Sequence, residues 1–149
     1  RQALISLLTA PLAFPGVTDA LTRFEEAGFG AAVCTNKYET LATALVGALG
    51  LAPRFQAVCG ADTFSFRKPD LRHLLEPIAR AGGDPARAVM IGDSQTDIDT
   101  AKAAGIPVVA VDFGYTDRHV REFEPSRVIS HFDELTVAMA DELLRAVAR

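Results

Sequence analysis

No apolar run in this chain approaches the length of a membrane span, and its opening residues show no charged segment leading into an apolar leader and cleavage site. Positive charge is not in excess: 15 Lys and Arg stand against 19 Asp and Glu, a formal net charge of −4. Nucleic acid is therefore not an expected partner, since it would call for a basic face, and neither is a membrane. Cysteine is scarce. Cys34 and Cys59 both lie in apolar, strand-like runs, and they read as buried free thiols of a reducing cytoplasm. There is no internal repeat, low-complexity tract or interdomain linker. What is present is 149 residues, 49% hydrophobic and 23% charged, enough for one core in a globular domain.

Apolar runs alternate with helical periodicity along the chain. Residues 1–8, RQALISLL, are short, apolar and uncapped, so they fit either the last turns of a helix or a strand. Residues 9–16 form an extended connector set by Pro11 and Pro15. Val17, Ala20, Leu21, Phe24 and Ala27 recur at helical spacing up to Gly28. A buried strand, 30–34, precedes a helix over 38–49 whose stripe is Leu41, Leu45 and Leu49. A strand at 55–59 leads through a polar loop into a helix carrying Leu71, Leu74, Leu75 and Ile78, kinked by Pro77. Strands follow at 88–91, 107–111 and 127–130. Asp133 is the expected cap of a last helix with the stripe Leu135, Met139, Leu143 and Val147. This order predicts an α/β fold with a doubly wound parallel sheet.

The chemistry gathers around residues 89–105, VMIGDSQTDIDTAKAAG. A buried strand turns at Gly92 and delivers Asp93 to its C-terminal edge, where open α/β sheets hold ligands. Asp97 lies in the first turn of the next helix, facing the same crevice. Two acids there suit Mg²⁺, a hard cation that takes oxygen ligands and keeps waters. The same residues also read as a helix cap, with Ser94 three positions before Asp97. Thr35, after the strand 30–34, and Lys68, in the polar loop, belong to loops on the same edge. A hydroxyl, the N–H of Asn36, an ammonium and two acids are what a phosphoryl group requires. Taken singly, Thr35 reads equally as a helix cap and Lys68 as a solvated charge.

Together, CTNK, RKPD and IGDSQTD resemble the second, third and fourth motifs of the haloacid dehalogenase superfamily of phosphohydrolases, and the resemblance covers nearly the whole chain. With VDFGYTD they look most like bacterial phosphoglycolate phosphatases. The resemblance implies a Rossmann-like core and Mg²⁺-dependent hydrolysis of a small phosphomonoester, 2-phosphoglycolate first, through an aspartyl-phosphate. Thr35 and Lys68 would be the catalytic phosphate-binding residues, joined by Asn36. Asp93 would be the Mg²⁺ ligand, with Asp97 acting behind it.

One motif departs. The family's DxDGT, which supplies the nucleophile, has no counterpart before Thr35. By this resemblance residues 1–14 look like the end of a helical cap and its return linker, and residues 15–149 like a core missing its first, central strand. The chain as given would then be inactive. Other readings are a phosphatase or phosphomutase of the same superfamily acting on pyrophosphate or a sugar phosphate, a receiver-like α/β module, and a non-catalytic fragment. A cytoplasmic monomer or homodimer is the expectation. If the central strand is absent, its gap should be filled by residues 3–8, by another chain, or by residues physically present outside the given sequence.

Overall fold

The structure, a computed structural model, describes the backbone of residues 4–7, 11–113 and 119–147, and side chains from Leu12 onward within those ranges. Six strands form one sheet: β1 (Leu4–Leu7), β2 (Gly30–Cys34), β3 (Ala57–Cys59), β4 (Ala88–Gly92), β5 (Val108–Val111) and β6 (Arg127–Ile129). Their spatial order is β3-β2-β1-β4-β5-β6, and every neighbouring pair is parallel. The helices are α1 (Val17–Glu26), α2 (Glu39–Ala48), α3 (Arg72–Arg80), α4 (Gln95–Ala104) and α5 (Val137–Val147). This is the doubly wound α/β fold expected from the alternation of periods.

Side-chain alternation along the strands divides the core into two layers. Ala31, Val33, Val89, Ile91, Val109 and Val111 face α1, α2 and α5, packing on Leu21, Phe24, Val46 and Leu143. Ala32, Ala88, Met90, Val108 and Ala110 face α3 and α4, packing on Leu74, Ile78 and Ile98. Both faces being covered, these strands are apolar throughout rather than alternating.

The reading of residues 1–14 as the end of a helical cap is corrected over Leu4–Leu7; residues 1–3 and 8–10 lie outside the described residues. Leu4–Leu7 is a strand at the centre of the sheet, with Leu4 opposite Gly30 on one side and Ala88 on the other. Without it, β2 and β4 would each expose a row of backbone donors and acceptors inside the core, at a cost on the order of 1–3 kcal/mol per unpaired group. Four residues, three of them apolar and too few to hold a helix by themselves, are enough to close that gap. The sheet is therefore not missing a central strand, although the strand that fills the place carries no carboxylate.

Three smaller expectations also change. Pro11–Ala13 is a 3₁₀ turn rather than extended chain, and the rest of that connector before it lies outside the described residues. Helix α2 buries Ala42 and Val46, leaving Leu41 and Leu49 exposed: the small face packs closely against the sheet, and these two leucines are turned outward. Asp133 does not cap the last helix. It lies in a 3₁₀ turn, Phe132–Glu134, and the Thr136 hydroxyl accepts from the Met139 N–H instead. Leu135, buried, precedes α5, while Val147 is exposed.

Candidate active site

Strand order reverses between β1 and β4: chain passes outward to β2 and β3 on one side, and to β5 and β6 on the other. A crevice opens beyond the C-terminal ends of the strands at such a point. Thr35 follows β2 directly and Asp93 follows β4. Thr35, Lys68, Asp93 and Asp97 are all buried, an unusual gathering for residue types normally found at the surface.

Lys68 is the centre of the arrangement. Its Nζ donates to Asp97 Oδ1 at 2.6 Å and to the Cys34 carbonyl at 3.1 Å. The pair's side chains are 3% and 2% exposed, so Lys68 is not a solvated loop charge. Its backbone is held from below by Asn36, whose side-chain amide accepts from the Lys68 N–H and donates to the Lys68 carbonyl, both at 3.1 Å. The sequence points to Asn36 through its backbone N–H; its side chain also fixes the lysine loop. The Thr35 N–H donates to the Cys59 carbonyl and its hydroxyl accepts from the Lys37 N–H. Thr35 therefore does not cap α2, whose N-cap position is Tyr38.

The two acids differ in what they touch. Asp97 Oδ2 accepts from the Asp93 N–H, the Ser94 N–H and the Ser94 hydroxyl at 2.9–3.2 Å. Together with the return bond from the Asp97 N–H to Ser94 this makes a capping box, so the capping reading and the buried-acid reading both hold for one residue. Gly92 makes this possible: a Cβ there would stand 2.4 Å from Asp97 Cβ. Asp93 is held less. Burial foremost, then the adjacent Asp97 carboxylate, pushes its carboxyl up to about 6, with Lys68 opposing. A buried carboxyl whose charge is disfavoured by a like neighbour is one that a cation would relieve.

Among the described residues no group of three or more His, Cys, Asp or Glu could hold a metal. A hard cation placed here would rest on Asp93, with water completing its shell, because Asp97 already accepts from four donors. That donor set fits Mg²⁺, which binds through one or two carboxylates and keeps its waters.

Three residues of this neighbourhood are not marked as site residues by the sequence. Gly60 lies where a Cβ would come within 2.3 Å of the Glu39 N and 2.5 Å of the Lys37 carbonyl, so β3 can run against the loop after Thr35 only as glycine. His73 and Cys34, both fully buried, sit behind Lys68. A single buried histidine leaves no periodic signal in one sequence.

Residues 8–111 match the family described as Haloacid dehalogenase-like hydrolase. The chain belongs to that family. Within it, a phosphoglycolate phosphatase of Mesorhizobium japonicum is 70% identical over 133 residues, 89% of this chain and 59% of its own length. One of Agrobacterium fabrum is 47% identical, over 88% of this chain and 56% of its own length. This chain therefore spans little more than half the length of those relatives. Among solved structures, a predicted phosphoglycolate phosphatase of Haemophilus somnus superposes with a TM-score of 0.77 at 26% identity, covering 82% of this chain and 55% of that one. The CbbY protein of Rhodobacter sphaeroides, solved in complex with phosphate, superposes at 0.74 and 26% identity, over 85% and 58% of the two chains. The haloacid dehalogenase-like core of this chain is thus the parallel sheet described above.

Proposed function

We propose that this chain carries the phosphate-holding and Mg²⁺-holding side of a phosphomonoester hydrolase of the phosphoglycolate phosphatase type. The observation that carries the reading is the buried Lys68–Asp97 pair, set between Thr35 and Asp93 at the mouth of the crevice. A lysine that served only the fold would not need two carboxylates beside it. An anion arriving here would accept from the Lys68 ammonium, the Thr35 hydroxyl and the Asn36 N–H. Such charge-assisted contacts strengthen as charge spreads onto the phosphoryl oxygens. Mg²⁺ bound at Asp93 would neutralise a further oxygen. Asp97 keeps Lys68 aimed and holds the Asp93 backbone in place.

The attacking group is a separate matter. Transfer of the phosphoryl group to an enzyme carboxylate requires one aligned with phosphorus, and the Leu-Ile-Ser-Leu of β1 offers none. No Asp-x-Asp precedes Thr35 in the sequence. We therefore propose that the nucleophile is not among these 149 residues, and that the chain by itself binds phosphate without hydrolysing it. The substrate reading, a small phosphorylated acid such as 2-phosphoglycolate, rests on the names of the relatives.

The test combines binding and turnover on a chain whose intact mass is verified. Orthophosphate and 2-phosphoglycolate should bind in the presence of Mg²⁺, and Lys68→Met should weaken both about tenfold or more, the worth of a lost charge-assisted bond of about 1.5–3 kcal/mol. Hydrolysis should be absent. Unchanged affinity in Lys68→Met overturns the phosphate reading; Mg²⁺-dependent turnover lost in Asp93→Asn overturns the statement about the nucleophile.

A further inference from the structure

Behind the phosphate edge lies a second buried polar group that the proposed chemistry does not use. His73 stands at the start of α3, five residues after Lys68, and is fully buried. Its Nε2 lies 2.9 Å from the Gly60 carbonyl and its Nδ1 3.3 Å from Cys34 Sγ. A carbonyl oxygen can only accept, so Nε2 carries the ring hydrogen and, in the neutral ring, Nδ1 presents its lone pair to the thiol. Burial holds the imidazole below its ordinary pKa and pushes the Cys34 thiol up to about 12, so both groups are neutral.

The single thiol hydrogen is shared between two acceptors, since Cys34 Sγ also lies in donor position to the His73 backbone carbonyl. In a regular helix that carbonyl would take the N–H of the residue four positions on, which here is Pro77 and has none. The proline inside α3 thus leaves an acceptor open, and the last residue of β2 fills it. One histidine thereby joins the C-terminal ends of β2 and β3 to the first turn of α3. These are the elements that present Thr35 and Lys68, and the Cys34 carbonyl is itself the second acceptor for Lys68 Nζ. On its open side the ring is covered edge-on by Phe64 at 5.8 Å, and Phe64 is stacked on Phe66.

We infer that His73, acting through Cys34 and Gly60, is a positioning residue that sets where the Lys68 ammonium stands at the phosphate site. The inference rests on the phosphate reading above for its consequence, though not for its geometry. A histidine present only to fill volume would be replaced without effect by a ring of the same shape. A positioning histidine would be replaced only by a side chain that can still donate to the Gly60 carbonyl.

His73→Phe and His73→Gln make that distinction in the full chain. Two signals are read in each. One is the ¹⁵N-edited resonance of the Lys68 ammonium, which burial and two acceptors should make slow to exchange. The other is the Kd for orthophosphate. His73→Phe should broaden or lose the ammonium resonance and weaken orthophosphate about fivefold or more, with the amide spectrum of β5, β6 and α5 unchanged. His73→Gln should restore both signals to within about twofold of the parent. If His73→Phe does not fold, Cys34→Ala, which removes the thiol link without adding bulk, should shift the ammonium resonance in the same direction. A folded His73→Phe chain with the parent's ammonium resonance overturns the inference, as does an unshifted resonance in Cys34→Ala or a His73→Gln chain no better than His73→Phe. Loss of the ammonium resonance in a chain whose parent never bound orthophosphate would instead overturn the phosphate reading and leave the positioning role standing.

Discussion

Two ion pairs in this molecule join the same kinds of group and differ in nearly everything else. Lys68 and Asp97 meet at the mouth of the crevice with side chains 3% and 2% exposed; Arg127 and Glu142 meet on the far flank, between β6 and α5, at 43% and 61%. Water removed from the first pair leaves each charge dependent on its partner, whereas the second can be solvated at once if it breaks. Continuum arguments and substitution series agree that a buried pair is often no better for stability than an apolar pair of the same shape, while breaking one is costly. A fold that only needed stability had no reason to bury Lys68. Lys68, Asp97 and Asp93 together sum to a negative charge, so a cation at Asp93 would complete the balance and leave the third Lys68 N–H for an anion, and the surface pair needs no such account.

The comparison is broken most sharply by Lys68→Met. Asp97 would keep its Ser94 and backbone donors but lose its counter-charge, and Asp93 would lose the group that opposes its raised pKa. A loss of about 3 kcal/mol in urea unfolding is expected, besides the weakened phosphate affinity. Loss below about 0.5 kcal/mol, the range of an exposed pair, would mean that Lys68 is solvated in practice. Next in size is Gly92→Ala. The added Cβ would overlap Asp97 Cβ at 2.4 Å, within a backbone that cannot move without opening the sheet. About 2–3 kcal/mol of destabilisation should follow. A Gly92→Ala chain as stable as its parent would show that Asp97 has room to retreat, and its four accepted bonds would not be a fixed frame.

Legibility in the sequence divides along similar lines. Alternating periods are enough for the parallel sheet, and GDSQTD for the turn that carries Asp93, since both signals are local. What is not legible depends on the rest of the molecule. RQALISLL fits the end of a helix or a strand equally; only the vacancy between β2 and β4 makes Leu4–Leu7 a strand. Leu41 and Leu49 point outward, with Leu45 half-buried, because Ala42 and Val46 allow α2 to approach the sheet closely, and a count of apolar residues cannot weigh distance. His73, Gly60 and the second role of Asn36 are contacts between segments 13 to 39 residues apart, with no periodic trace.

A smaller effect separates the two acids of the crevice. Asp93 binds its proton more tightly folded, at about 6, than at the ordinary 3.8. Its contribution to stability is therefore full below pH 3.8 and is lost as pH rises through 6. His73, held below its ordinary value, acts oppositely: its contribution is present above pH 6.5 and is lost as pH falls through its lowered value. The difference between the parent and Asp93→Asn isolates the carboxyl. Asparagine cannot take the charge, so at about pH 8 and without metal Asp93→Asn should be more stable than the parent by about 1–2 kcal/mol, after allowance for partial solvation. Near about pH 4 that advantage should vanish. An advantage independent of pH would show that the substitution acts by packing and that Asp93 is not charge-strained.

The least effect belongs to the surface pair, and it calibrates all the others. Arg127 donates to Glu142, but it also donates to the Ser126 carbonyl from Nη1. Its guanidinium is solvated whichever partner it keeps. Exposed pairs are worth about 0.2–1 kcal/mol and are screened by salt. Arg127→Ala should therefore cost under about 0.5 kcal/mol, and the cost should fall towards zero in about 0.5 M salt. Lys68→Met should keep most of its cost there, because its partner lies beyond the reach of solvent ions. Equal salt sensitivity in the two variants would place the Lys68–Asp97 pair in contact with water, and the contrast between the two pairs would go.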